Sequence, residues 1–495
     1  MMLRAIAEGW RISLTDEQLP EIIDRLVEEM THPETVLATV QRLSDQQREG
    51  LAFVLAQGPV KAHVLTRKYG QVRRLGAGRL EWEAAWEQPV SVAERLWFLG
   101  LIYREYALGQ EYQGEVFVVA PEIQRVLPPM QVAAPAFHVL SATEPSLVRD
   151  EQGALAKDVF VVLSHLRNHD VRAREAVLAK HELERVRKRL TSTHRPRLRL
   201  LWRICEQARL VQKESGLWQP TDRAAAWLKE SALSRQRALV QSWLADAGWN
   251  ELCAMPTVTC EDTGWRHDPI RARVALLSHL GKCPMGVWLE IESLVNAIYA
   301  ADPDFLRPDG DYDSWYIRDA ESGNYLLGFA SWGSVEGALI RYLLEQALCW
   351  LGVVALGYAE GAERAAAFKL TGTGIALLHE ERAPAIGEDD APSQEPAQHI
   401  VLRSDLSIVV PSTASWYDRF LVERFASWVG EREQGMLYKL DRHSVARALS
   451  RGVIGPQIEA FLKRATGDRL PVELQRALKA WGLDRARHLG GPMTE

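Results

Sequence analysis

Arg185 to Arg199 reads RVRKRLTSTHRPRLR, seven Lys/Arg in fifteen residues with no acid among them. The whole chain carries a formal net charge of −6. Positive charge gathered locally in an acidic protein marks a surface for a polyanion, because phosphates respond to clustered Lys and Arg and not to the mean charge. The candidates are Arg185, Arg187, Lys188, Arg189, Arg195, Arg197 and Arg199. Arg185, Lys188 and Arg189 have the spacing of one helix face. Arg195, Arg197 and Arg199 flank Pro196, which suits the first turn of a following helix, where free backbone N–H groups also favour phosphate. The competing reading is a solvated face whose charges are matched by acids elsewhere in the fold.

Other chemistry is weaker. No Gly-x-x-x-x-Gly-Lys-Ser/Thr loop occurs, so there is no backbone cradle for an ATP phosphate and ATP hydrolysis is not expected. Asp16-Glu17-Gln18 opens an amphipathic helix and reads as a cap, with Thr15 before it. Cys253, Cys260, His267 and Cys283 are too widely spaced for a zinc knuckle, and Cys349 reads as core. His181-Glu182 and His379-Glu380 lack the second His of a metalloprotease helix. No Gly-x-Ser-x-Gly elbow is present. Asp309, Asp311 and Asp313 alternate, but the places that a calcium loop gives to Gly and Glu hold Ser314 and Ala320. No catalytic residue, metal or cofactor is therefore assigned. The long stretch from Phe305 to Trp332 stands out, and Trp315, Tyr316 and Arg318 are its candidate partner-binding residues.

The elements that must position these residues are mostly helical. Asp45–Gln57, Val60–Tyr69 and Ser91–Leu99 have helical patterns, and Ile102–Glu122 alternates around a Gly109–Gly114 turn like a hairpin. Helices followed by a two-stranded hairpin make a winged helix. The same order recurs from Leu155 to Leu228, which encloses the basic run, and again from Ile270 to Leu378, so the chain reads as three diverged copies of one unit. Pro128 to Pro145 holds four prolines and reads as a linker. Glu380 to Gln398 is acidic and Pro-rich and reads as a flexible linker whose cleavage separates two folded pieces. Beyond it, His399–Pro411 and Leu437–Leu440 read as strands, and Ser415–Val429, His443–Leu449, Pro456–Arg464 and Pro471–Trp481 as helices.

The segments VLRSDLSIVVP, LYKLDRHSVARALSRGVIGPQIEAFLKRAT and LPVELQRALKAWG carry a further signal. Their order runs through Tyr438, Leu440, Ser444, Val445, Ala448, Leu449, Gly452, Ile458, Phe461, Leu462, Leu470, Pro471, Trp481 and Gly482. It resembles the helicase-associated domain found N-terminal to the motor of bacterial XPB-type DNA helicases. The upstream winged-helix region resembles the rest of that architecture more loosely. The resemblance implies DNA-related roles and contacts with a motor or with DNA, but no motor motif is present in this sequence.

The expected fold class is mainly α with small β hairpins. The expected units are residues 1–128 (helical lead-in and first winged helix), 146–250 (second, with the basic segment), 251–380 (third, with the long insertion) and 399–482 (the α+β helicase-associated domain). The expected function is a non-catalytic DNA-binding protein or accessory factor. The alternative is a protein–protein scaffold that docks a separate helicase or nuclease subunit without touching DNA. No apolar stretch reaches the roughly eighteen residues a membrane helix needs, so no membrane partner is expected. The five scattered cysteines fit a reducing, cytoplasmic setting.

Overall fold

A computed structural model describes residues 2–14, 18–109, 112–130, 137–173, 178–263, 267–379 and 399–481. The expected cap residue Thr15, the Glu380–Gln398 linker and Gly482 lie outside the described residues. The described chain is mainly helical with small antiparallel sheets. Contacts group it into two compact units. One comprises residues 1–137, 298–316 and 327–331; the other comprises 138–297, 317–326 and 332–495.

In the first unit, helix Asp45–Gln57 starts at a reciprocal cap. Ser44 Oγ accepts from Gln47 N–H at 3.2 Å, and Gln47 Oε1 accepts from Ser44 N–H at 3.0 Å. Strand Val60–Lys61, helix Ala62–Tyr69 and helix Val92–Phe98 follow, then strands Tyr103–Leu108 and Gln113–Val118. The short first strand pairs with the last one, Val60 opposite Phe117. Val54, Leu65, Leu96, Leu101 and Phe117 meet in one core.

The second unit holds two segments with the same order. In one, helices Ala154–Asn168, Lys180–Val186 and Arg195–Gln207 lead into strands Val211–Glu214 and Leu217–Pro220, and Arg172 bridges to Leu217. In the other, helix Pro269–Leu280, strand Leu289–Glu290, helix Ile291–Ala301 (of which 291–297 fall in this unit) and a helical run from Gly333 to Leu348 lead into strands Val354–Tyr358 and Ala367–Leu370. Again the first strand pairs with the last, Leu289 opposite Phe368.

All three segments leave their last helix in the same way. Gly100, Arg209 and Gly352 take left-handed backbone (φ +67°, +54° and +64°). The next residue then donates back into the helix: Leu101 to Leu96 O at 3.1 Å, Leu210 to Cys205 O at 2.9 Å, Val353 to Leu348 O at 2.8 Å. Each of these three residues is buried and starts the chain toward the hairpin. At Gly352 a side chain is excluded outright, since a Cβ would stand 2.8 Å from Gln152 Cα. The later two segments also share a cap after the hairpin. Thr221 and Thr371 each accept from the N–H three residues on and donate to a carbonyl at the helix exit, Arg209 O and Gly352 O, both at 2.6 Å.

Several expectations are corrected. Residues 138–149 are not a free linker: Leu140 N–H donates to Ser293 Oγ at 2.8 Å, Ser141 bridges to Leu289, and strand Leu147–Arg149 pairs along 356–358. The ladder tolerates this Pro-rich stretch because the strand lies on a sheet edge, with Pro145 just outside it. Residues 298–316 belong with the N-terminal region because Asp304, 9% exposed, is held by Arg67 Nη1 at 2.9 Å, His63 Nε2 at 3.2 Å and Tyr312 Oη at 2.8 Å. Cys253 and Cys260 form a disulfide, while Cys205, Cys283 and Cys349 are buried and free.

The last domain carries a four-stranded sheet in the order 401–402, 407–410, 435–439, 427–432. Helix Trp416–Phe425 is shorter than expected, because Ala426 turns extended and Ser427–Arg432 becomes an edge strand. Helices Arg442–Ser450, Gly455–Thr466 and Val472–Ala480 complete it. Tyr438, Leu440, Val445, Ala448, Ile458, Phe461 and Leu462 are all core.

This domain docks on the segment that carries the basic run. Trp416 packs edge-on against Phe160 (5.7 Å) and Trp227 (6.2 Å), and the Arg235 guanidinium lies 4.0 Å over its ring. Cleavage of the 380–398 connection should therefore not separate the pieces. A protease site inserted there is expected to give two fragments that co-elute in gel filtration at low denaturant. Independent elution would mean that these aromatic contacts do not hold the domain.

Candidate nucleic-acid interface

The basic run spans two helices and the turn between them. Helix Lys180–Val186 ends before the arginine cluster, and Arg187–Arg189 form a 3₁₀ turn. The expected single face of Arg185, Lys188 and Arg189 is therefore broken: the tighter turn rotates Arg189 away from the other two. Leu190 is extended and buried. Helix Arg195–Gln207 then starts with Pro196 in its first turn, as its fixed φ favours.

Two of the seven candidates point inward. Arg197 is fully buried; its Nε donates to Glu151 Oε2 at 2.8 Å and its Nη1 to Asp158. Asp158 is itself fully buried and takes two more bonds from Thr191, from N–H at 2.9 Å and from Oγ1 at 3.1 Å. Glu151 also receives Arg149 Nη2 at 2.6 Å. This chain of charges fixes helix Arg195–Gln207 on helix Ala154–Asn168. Arg189 pairs with Glu423 of the last domain and lies 5.4 Å over the Trp428 ring. Glu423 accepts in turn from Tyr438 Oη at 2.7 Å, and Tyr438 Oη accepts from Arg419 Nε at 2.8 Å. Arg189 and Arg197 are tertiary fasteners, and a phosphate cannot reach Arg197.

The other five reach solvent. Arg185 leans on the buried Glu182 at 3.3 Å, and Arg187 on Glu184 at 3.2 Å as an exposed pair of small net value. Lys188 and Arg195 are exposed. Arg199 is exposed with its guanidinium 5.8 Å from the Trp249 ring. The apolar side of helix Arg195–Gln207 is used inside the protein, where Leu198, Leu200, Leu201, Trp202, Ile204 and Cys205 are buried. Trp202 and Trp218 meet edge to face at 4.9 Å.

Beneath Arg185 lies a buried pair that the sequence does not announce. His165 and His169 stack at 4.4 Å, and His165 Nε2 lies 2.6 Å from Glu182 Oε2. Burial, helped by His169, pushes the His165 imidazole down to about 4. Burial works against the Glu182 carboxylate, but its hydrogen bond to His165 and the charge of Arg185 outweigh this and hold it below the usual range. The neutral imidazole thus donates to an ionised carboxylate at neutral pH. The unfolded chain binds this proton below about pH 6.5, the folded chain only near 4. Between those values the unfolded state holds more protons, so stability is complete above the upper value and declines as pH falls toward the lower one. A loss of up to about 1.4 kcal/mol per pH unit is expected in that window. His165→Gln, which can still donate to Glu182, should flatten the pH dependence of the urea midpoint between neutral pH and 5. An unchanged slope would assign the titration to another group.

The three partner-binding candidates fall on both sides of the division between the two units. Trp315 and Tyr316 belong to the first unit, with the Arg307 guanidinium 4.2 Å over the Trp315 ring. Arg318 belongs to the second, on strand Ile317–Asp319 paired with Val258–Cys260, where it bonds Glu261 and lies 3.6 Å over the Tyr325 ring. The 305–332 excursion is thus divided, not a single loop. Among the described residues no group of His, Cys, Asp and Glu could hold a metal ion, and no helix is long and apolar enough to cross a membrane.

Sequence reasoning missed the acids that claim the run's arginines, Glu151, Asp158 and Glu423, since none lies within the run. It also missed Arg167, Arg424 and Arg451, which line a cavity of 260 Å³ beside the last domain. No family model matches this chain, and no curated protein matches it.

Proposed function

We propose that this chain is a non-catalytic DNA-binding protein that contacts the phosphate backbone through Arg185, Arg187, Lys188, Arg195 and Arg199. The observation that carries the reading is the exposure of these five cations, at the end of one helix and the start of the next, in an otherwise acidic chain. The order of three helices and a two-stranded hairpin in this segment, with Arg172 bridged to Leu217, is the order expected of a winged helix and supports the same reading. Tyr438, Leu440 and the other residues that carry the likeness to the helicase-associated domain are core residues. They support a shared fold more than a shared activity.

One observation favours the alternative, a scaffold for a separate helicase or nuclease subunit. The last helices of the second and third segments bury their apolar faces within the protein, and His194 meets Trp350 edge-on at 6.0 Å. A helix so engaged has less surface left to enter a groove. A gel-shift panel of single-strand, duplex and forked DNA at low and moderate salt separates the two. Salt-sensitive retention is expected, and no retention at low salt would leave the scaffold reading in its place.

A further inference from the structure

The arginines lining the 260 Å³ cavity come from distant parts of the chain: Arg167 from the end of helix Ala154–Asn168, Arg424 from helix Trp416–Phe425, and Arg451 from the end of helix Arg442–Ser450. The remaining lining is neutral, with Asn168 and Gln219 as its polar members. Among the described residues no carboxylate or carbonyl accepts a hydrogen bond from Arg424. Arg451 pairs with Asp170 at 2.9 Å and reaches Arg167 O at 3.5 Å. Arg447, one turn before Arg451, donates to Ala426 O at 3.5 Å, while its Nε is buried without a partner. Arg424 is thus a cation without a carboxylate partner among the described residues, in a cavity that two further arginines line. Burial, then the charge of Arg167, lowers Arg424 to about 10. The larger cleft of the first unit (530 Å³) differs, because Arg67 there is matched by Asp304 and Arg74 by Glu115.

Like charges held close together cost stability, and natural sequences keep such strain at functional places. The cavity falls below the roughly 300–1,000 Å³ of sites that take drug-sized ligands. A small, multiply charged oxyanion fits its size, and guanidinium forks recognise such groups through paired hydrogen bonds. Arg167 also lines a neighbouring depression of 870 Å³ together with Arg209 and Arg223. Glu214 and Asp222 offset part of that charge.

We propose that Arg167, Arg424 and Arg451 form a phosphate-binding pocket. Within the DNA-binding reading, on which this part rests, the pocket seats one backbone phosphodiester, and the depression beside Arg209 and Arg223 carries the strand onward. A free phosphate offers the same chemistry, so the test has an arm for each source. Arg424→Gln and Arg451→Gln are compared with wild type by thermal unfolding in inorganic phosphate and in chloride of equal ionic strength, and by duplex-DNA anisotropy across salt. In chloride, Arg424→Gln is expected to melt at or above the wild-type temperature, since it removes an unmatched charge. Phosphate should raise the midpoint of wild type and not of Arg424→Gln. Each substitution should lower the salt slope of DNA binding by about one unit. If wild type ignores DNA but keeps a phosphate response that Arg424→Gln lacks, the pocket stands as a small-anion site and the DNA reading fails. If Arg424→Gln and Arg451→Gln retain both the phosphate response and the DNA salt slope while charge reversal in the basic run abolishes binding, the pocket proposal is overturned and the DNA reading survives. Should Arg451→Gln unfold through loss of its Asp170 pair, Arg424→Gln alone decides.

Discussion

Replacing Arg197 with Ala is expected to destabilise the protein by about 3–5 kcal/mol, the usual cost of removing one partner from a buried ion pair. The substitution strips Asp158 of its counter-charge in a place with no solvent access. Glu151 loses one of its two arginines and keeps Arg149. Asp158 then either stays ionised without a counter-ion or takes up a proton, and both alternatives cost free energy. A double variant locates the effect. Arg197→Met with Asp158→Asn keeps an acceptor for the Thr191 N–H and removes the charge, so it should recover much of the loss. Urea unfolding followed by tryptophan fluorescence reads both. An Arg197→Ala protein within about 1 kcal/mol of wild type would mean that this side chain is not an internal fastener.

The second large effect is on DNA. Reversing Arg187, Lys188, Arg195 and Arg199 to Glu should abolish their counterion release. At roughly 0.9 of salt slope per phosphate contact, four contacts make affinity fall about a hundredfold between about 50 and 200 mM salt. The reversed protein should lose that dependence, and lose affinity equally for all duplex sequences, because phosphate contacts carry no base information. Its fold should persist, since these side chains are solvated. Arg189→Gln is the contrast: Arg189 is tied to Glu423, so its loss should lower stability and leave the salt slope unchanged. If the reversed protein binds duplex DNA with wild-type affinity and slope, the run is an ordinary charged surface. A slope changed by Arg189→Gln instead would redraw the interface.

The sequence alone determined most of the helices, the hairpins and their order. Periodicity, the Ser44–Gln47 cap, the glycines at 100 and 352 and the hairpin turns act over a few residues, and local backbone preference decides them. The recurrence of one helix-and-hairpin order was legible for the same reason, as was the core pattern around Tyr438, Val445 and Phe461. Only the tertiary structure decided what the charges do. Arg197 and Arg199 are two residues apart, yet one is sealed between Glu151 and Asp158 while the other faces solvent. A helix turn sends neighbours in different directions, and the acids that meet them come from 39 and 46 residues away. The strand at 147–149 was hidden because its partner lies some two hundred residues further on. The arginine pocket was hidden because Arg167 and Arg451 belong to segments that meet only when the last domain docks. Local sequence fixes which way a backbone turns, whereas electrostatic environment is a property of whatever else the fold brings within a few ångströms.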